Sequence, residues 1–426
     1  MNREVKNSGI EWIGEIPYSW QIKSVKNEFT RKQSQSSNLE NNILTLARSG
    51  VKVRDISTGE GQIASDYSKY NYVTPGDLLL NPMDLVSGDN CNISNIYGVI
   101  SPAYFNLGVK NHANPYFFNY YFKMQYWVGS FFAHGKGVSF ENRWTLNYET
   151  LRNFPILFPP LNEQQKIVKF LDDNLSYINS LTEQTYQSIN ELKKYKQLLI
   201  TEAVTKGFDS TVEMKDSGIE WIGKIPKHWQ TIKMKYLLST PLLYGANESG
   251  IPYQEDLPRY IRITDILNNN KLSDNNKLSL SLEKAKSFFL KENDILFARS
   301  GASVGKTFLI SKENVNDTFA GYLIKASFKD NVNAKYIFLF TQSSAFENWK
   351  NAITIQSTIQ NIGANRYNNL IISLPTYEEQ QQIVQYLDNK TSAIDNIIAD
   401  KTKIIEELEN YKKSLIYEYV TGKKEV

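Results

Sequence analysis

Residues 8–20 read SGIEWIGEIPYSW and residues 217–229 read SGIEWIGKIPKHW, identical at ten of thirteen positions. A second pair follows: residues 163–172, EQQKIVKFLD, and residues 379–388, EQQQIVQYLD, identical at seven of ten. The two intervals, 209 and 216 residues, are nearly equal. One unit of lead-in, long middle and helical tail therefore occurs twice, and that duplication decides the architecture. The middles, 21–158 and 230–374, are much less alike than their flanks. A constant frame around two different inserts is a scaffold that presents two different readers.

The 426 residues accommodate two ordinary domains plus extra helix, and an apolar content of 41% supplies real cores. One cysteine, Cys91, excludes a disulfide framework and a multi-cysteine zinc site. His112, His134 and His228 are too widely spaced for a histidine metal cluster. The start, MNREVKNSGIEW, lacks the apolar stretch of a secretory signal. Apolar runs such as 336–340 (YIFLF) fall far short of the roughly 20 residues a membrane span needs. A soluble, cytoplasmic protein with no membrane partner is expected. The net charge of +3 says less than its distribution. Residues 21–158 carry 13 Lys/Arg against 10 Asp/Glu, and residues 230–374 carry 17 against 12, while the tails at 163–206 and 379–424 are close to neutral. The excess positive charge sits in the two middles, where a polyanion would dock.

The tails follow Pro159-Pro160 and Pro375, and prolines fit just before a helix start. Each then runs roughly 43 residues without Pro or Gly. Apolar residues recur three and four apart: Ile167, Leu171, Ile178, Leu181, Leu192, Tyr195 and Leu199 in the first, and Ile383, Leu387, Ile394, Ile397, Ile404, Leu408, Tyr411 and Leu415 in the second. This is a coiled-coil-like seam, interrupted by Asn174, Thr185 and Ser188 in one copy and Lys390 and Lys401 in the other. At 1.5 Å per residue each helix would be about 64 Å long, too long to pack on one globule alone. In the order globule, helix, globule, helix, an antiparallel helix pair gives a rod with two heads about an approximate twofold axis. The middles mix strand-like runs (72–81 and 288–298, each with an Asp before an apolar stretch) with helix-like ones (115–132 and 333–350). Each is an α/β or α+β globule of about 140 residues. The expected division is 1–158, lead-in plus first globule; 159–207, central helix; 208–374, lead-in plus second globule; and 375–426, C-terminal helix. The lead-ins, with their glycines and prolines, are expected as anchored loops that bury Trp12, Trp20, Trp221 and Trp229.

Several motifs fall short of chemistry. GASVGKT at 301–307 has three residues where a phosphate-cradling loop needs four. NPMD at 81–84 and NPYF at 114–117 do not match the Asn/Asp-Pro-Pro-aromatic stretch that holds a flipped base. No HExxH and no distinct nuclease carboxylate cluster is present. The chain reads as one that binds and performs no catalysis. Arginine is scarce and reads guanine bidentately in a major groove, so the candidates for DNA contact are Arg48, Lys52, Arg54 and Arg143 in the first middle, and Arg299, Ser300, Lys306 and Arg366 in the second. A reading from another class is a coiled-coil adaptor with two protein-binding heads. Steeply salt-sensitive duplex binding separates the two.

The SGIEWIG-x-IP-xx-W lead-in, the PPLNEQQKIVKFLD tail start and the frame-and-insert duplication resemble the specificity subunit of a type I restriction–modification system, over essentially the full chain. The resemblance implies that the middles are target-recognition domains, each reading half of a split, asymmetric site on double-stranded DNA. It implies that the long helices form an antiparallel coiled coil that sets the spacing and docks two methyltransferase subunits. With those subunits the complex methylates adenine N6; with restriction subunits it translocates on ATP and cleaves. S-adenosylmethionine, ATP and Mg are then expected on the partners, with no cofactor on this chain. Heads on one face of DNA should place half-site centres about one helical turn, 34–36 Å, apart.

Overall fold

The structure, a computed structural model, describes residues 3–35, 42–47, 50–55, 66–83, 85, 91–110, 112–137, 144–267, 270–354 and 361–426. Arg48 and Arg143 lie outside this set. The chain divides into two units, Met1–Thr185 with Lys403–Val426, and Tyr186–Thr402. The division cuts through both long helices, Leu161–Lys206 and Tyr377–Val420. Each unit is therefore built from a lead-in, a middle, the start of one long helix and the end of the other.

In the first unit the lead-in is a hairpin rather than a plain loop. Val5–Asn7 pairs antiparallel with Glu15–Pro17, and the Ser8 N–H donates to the Gly14 carbonyl at 2.9 Å. Gly9 and Gly14 have φ of 68° and 70°, a left-handed conformation open to glycine at no steric cost. Ile10, Ile13, Ile16 and Trp20 are buried below it. Gln21–Ser24 then pairs with Pro155–Phe158, tying the beginning of the middle to its end. The main sheet has four antiparallel strands, in the order Phe29–Arg31, Phe105–Val109, Leu78–Leu80, Cys91–Ile93. A helix, Pro115–Trp127, buries Phe117, Phe118, Tyr121 and Phe122 in the same core. It starts where it does because the Asn114 side chain accepts from the Tyr116 N–H while Pro115 occupies the first turn. A short helix, Tyr148–Asn153, precedes the closing strand.

The second unit repeats this plan. Met214–Asp216 pairs with Lys224–Pro226, and Gln230–Lys233 with Ile371–Leu374. Its four-stranded sheet runs Leu243–Tyr244, Leu323–Ala326, Ile295–Ala298, Thr307–Leu309. Helices Ala334–Thr341 and Ser344–Thr354 take the place of Pro115–Trp127 and the Ser130–His134 helix that follows it, and Ala364–Asn368 that of the short helix. The repeat therefore extends through the middles, whose strand order is the same although their sequences differ. With sheets almost wholly antiparallel and helices set apart, each globule is α+β; the pairing of Tyr260–Ile261 with Thr318–Phe319 is parallel.

The two long helices run antiparallel within each unit. In the first, Phe170 meets Tyr419, ring centroids 4.4 Å apart, and Asn179 accepts from Lys412 at 3.0 Å. In the second, Lys196 pairs with Asp395 at 2.6 Å, while Ala203 and Val204 share a core with Ile383, Val384 and Leu387. The inward positions step by four and three, as a heptad seam requires: 164, 168, 171, 175, 178, 182, 185, 189, 192, 196 on one helix, and 380, 384, 387, 391, 394, 398, 401, 405, 408, 412, 415, 419 on the other. This corrects the sequence-based seam. Ile397 and Ile404 are each 44% exposed and Tyr411 is 55% exposed; Ile398 and the buried Ile405 take the inward positions. Tyr195 is also exposed, and Leu181 lies half-buried beside the inward Thr182. Ile167, Leu171, Ile178, Ile383, Leu387, Ile394 and Leu415 are buried, and Leu192, Leu199 and Leu408 half-buried. Two of the polar interruptions are met locally: Asn174 donates to the Phe170 carbonyl at 2.8 Å and Thr185 to that of Leu181 at 2.7 Å, as the inward Thr182 does to that of Ile178 at 2.9 Å.

Candidate nucleic-acid interface

The repeated motifs hold the globules on the helices. In each EQQ segment the first glutamine is buried. Gln164 accepts from the Asn114 N–H at 2.7 Å and donates to the Pro159 carbonyl at 2.8 Å. Gln380 does the same with Asn333 at 2.9 Å and Pro375 at 3.1 Å. One amide thus joins the start of a long helix to the start of the globule's own helix. The preceding glutamate meets the lead-in. Glu379 accepts from the Trp229 indole at 2.9 Å and contacts His228 at 3.0 Å, whereas Glu163 takes Arg3, whose guanidinium lies over the Trp20 ring. The aspartates flagged before the central strands are equivalent too. Asp77 accepts from the Thr74 N–H and Asp294 from the Lys291 N–H, both at 2.9 Å, and both carboxylates are buried. These residues explain the constant frame as fold-holding.

Sequence reasoning missed a third repeated segment at the helix ends. Glu202-Ala203-Val204-Thr205-Lys206-Gly207 resembles Glu418-Tyr419-Val420-Thr421-Gly422. Val204 and Val420 are fully buried. Gly207 and Gly422, with φ of 77° and 71°, end the helices beside Trp229 and Trp20. The signal was present as V-T-x-G against V-T-G, with one residue inserted.

One corner of each globule carries a different kind of site, where the edge strand, the returning strand and the short helix meet. In the first unit Arg31 ends the edge strand. Its guanidinium lies over the rings of Phe105 (5.0 Å) and Tyr148 (4.8 Å), which sit edge-to-face 5.5 Å apart. In the second, Arg299 follows the central strand and lies over Tyr244 at 5.0 Å. Tyr244 is fixed because its hydroxyl accepts from the Ala364 N–H at 2.9 Å, at the start of the short helix. The backbone of Arg299 is held by the Tyr322 carbonyl at 3.0 Å and the Ile362 N–H at 2.8 Å. Each arginine buries an Nε–H that finds no acceptor among the described residues.

The sequence-derived candidates distribute unevenly. Arg299, Ser300 and Arg366 come together: Ser300 bridges to Asn361, and the exposed Arg366 projects from the short helix Ala364–Asn368. Lys306 turns away, its ammonium donating to the Ile266 carbonyl at 2.6 Å. The GASVGKT segment is a tight turn, with Gly301 and Gly305 at φ of 76° and 81°. In the first unit Lys52 is exposed on a separate hairpin, Leu44–Ala47 with Gly50–Val53, and Arg54 follows it. Arg31 was missed; its neighbours come from positions 105 and 148, and nothing local in FTRKQ announces them. A cleft of about 410 Å³ opens beside Tyr322, lined by Ala246, Gly250, Tyr260, Arg262 and Gly321 among others. His134 is structural, packed between Trp12 and Phe154. Burial pushes the Cys91 thiol up to about 12. Among the described residues no cluster of His, Cys, Asp or Glu could hold a metal, and no helix is long and apolar enough to cross a membrane.

The comparisons agree with this geometry. The model of the type I restriction modification DNA specificity domain matches residues 89–191 and 246–410. The specificity subunit of the type I restriction enzyme EcoBI from Escherichia coli is 23% identical over 445 residues, spanning 99% of this chain and 90% of its own length. That of MjaVIII from Methanocaldococcus jannaschii is 24% identical, spanning 84% and 82%. A chain from a solved structure concerned with complex assembly and conformational transition of the type I R-M system superposes with a TM-score of 0.71 over 95% of this chain and 98% of its own, at 14% identity, and speaks for the fold. Duplicated frame, shared topology and family model lead to one conclusion: the chain belongs to the type I restriction modification DNA specificity domain family.

Proposed function

We propose that this chain is the sequence-specifying, DNA-binding subunit of a type I restriction–modification complex. Each globule reads one half of a split, asymmetric site on double-stranded DNA. The observation that carries this is one sheet topology occurring twice in one frame with unlike sequences, since two unlike readers require two unlike half-sites. Both middles carry excess positive charge, the sequence-independent component of duplex binding. Base pairs between the half-sites go unread because no side chain touches their edges. The chain itself performs no chemistry. Adenine-N6 methylation belongs to two methyltransferase subunits carrying S-adenosylmethionine, and cleavage, where it occurs, to restriction subunits using ATP and Mg.

The test is duplex binding by the purified chain across a salt series. A log–log slope of several units, with no modification of DNA by the chain alone, is expected. Binding insensitive to salt would favour the protein-adaptor reading, and modified DNA would show that the chain is itself an enzyme.

A further inference from the structure

We infer that Arg31 and Arg299 are the specificity-determining arginines of the two half-sites, each reading a guanine in the major groove. This rests on the DNA-binding function proposed above. Of ten arginines in the chain, Arg3, Arg152, Arg259 and Arg262 face carboxylates. Those guanidinia are neutralised and part of their hydrogen-bonding fork is spent. Arg31 and Arg299 face aromatic rings instead. A ring holds a guanidinium without using its donors, so among the described residues the charge and the outer N–H pair stay free. The Nε–H of each is buried and unpartnered among the described residues, as is that of Arg259, so what sets these two apart is a ring in place of a carboxylate.

The arrangement arises twice by different residues. In one unit the arginine sits on the edge strand, with rings from the returning strand and the short helix. In the other the arginine follows the central strand and the ring comes from the edge strand. The sequences share nothing here, yet the same corner of the same topology ends up with a ring-held arginine. Exposed Tyr322 and Arg366 flank the second copy, which widens a surface suited to a nucleic-acid groove. A phosphate can be met by any mobile cation. A guanidinium with a fixed plane suits the bidentate pattern of guanine O6 and N7.

The experiment uses the full chain with its methyltransferase partner on a library randomised in both half-sites, reading methylation. Arg299→Ala is expected to lose discrimination at one G·C pair by about 5- to 150-fold, in the half-site read by residues 230–374, with the other half-site unchanged. Arg31→Ala is expected to do the reverse. The untouched half-site in each variant reports that the rest of the chain is folded. Tyr244→Ala, which frees the Arg299 guanidinium without removing it, is expected to relax the same position to a smaller degree. Uniform weakening across all sequences with the salt slope lowered by about one would make these phosphate contacts and overturn the inference. So would wild-type specificity in both arginine variants. A wild-type complex that marks no split site overturns the inference together with the function it rests on.

Discussion

Gln164 and Gln380 show how much a single side chain carries in this fold. Each satisfies a part-buried N–H and a buried carbonyl at the seat of a long helix. Gln380→Leu leaves both unpaired, at roughly 1–3 kcal/mol for each orphaned group; faster amide exchange at Asn333 than at Asn114 would register this within the affected unit. The helix-ending glycines differ in a measurable way. A Cβ at Gly422 would come 2.5 Å from Pro17 Cδ, whereas at Gly207 the nearest atom is Trp229 Cζ2 at 3.6 Å. Both positions have positive φ, so each alanine variant bears a strain of about 1 kcal/mol. Gly422→Ala adds a clash with a rigid ring and is expected to lower the melting temperature clearly more than Gly207→Ala. Cys91 is buried, and that burial pushes its thiol up to about 12. The reactive thiolate is therefore scarce near neutral pH, so labelling by a thiol reagent should wait for unfolding. Fast labelling of the native chain would contradict that burial.

At the scale of elements, helices were legible in the sequence and strand order was not. The long helices announce themselves through spacing of three and four over some forty residues without Pro or Gly. The register failed at Ile397-Ile398 and Ile404-Ile405 for a physical reason. A step of three and a step of four both land on isoleucine there, so periodicity cannot choose. Substitution can: Ile405→Asp puts a charge in the seam and is expected to cost several kcal/mol, while Ile404→Asp on the exposed face stays within about 0.5 kcal/mol. Equal losses in paired melting curves would contradict the heptad register. The sheets were hidden because their strands are two to five residues long and pair across large intervals, as Arg31 does with Leu107. The same distance in sequence hid the Arg31 corner, whereas Arg299 and Arg366 were visible because arginine is scarce and both stand next to glycine-containing turns.

For the whole molecule, the duplicated frame implies modularity. Both long helices pass from one unit into the other, between Thr185 and Tyr186 and between Thr402 and Lys403. Inserting one heptad at each junction keeps the seam in phase and lengthens each helix by about 10 Å. Methylation mapping should then show an altered spacer, by about three base pairs, between unaltered half-sites. The central claim, that one frame holds two independent readers, meets its most direct test in exchanging residues 21–158 for the corresponding middle of a relative. The readout is genome-wide adenine methylation in cells supplying the methyltransferase partner. A split site in which one half changes and the other half persists is predicted. A single uninterrupted word, or a change in both halves, would contradict it.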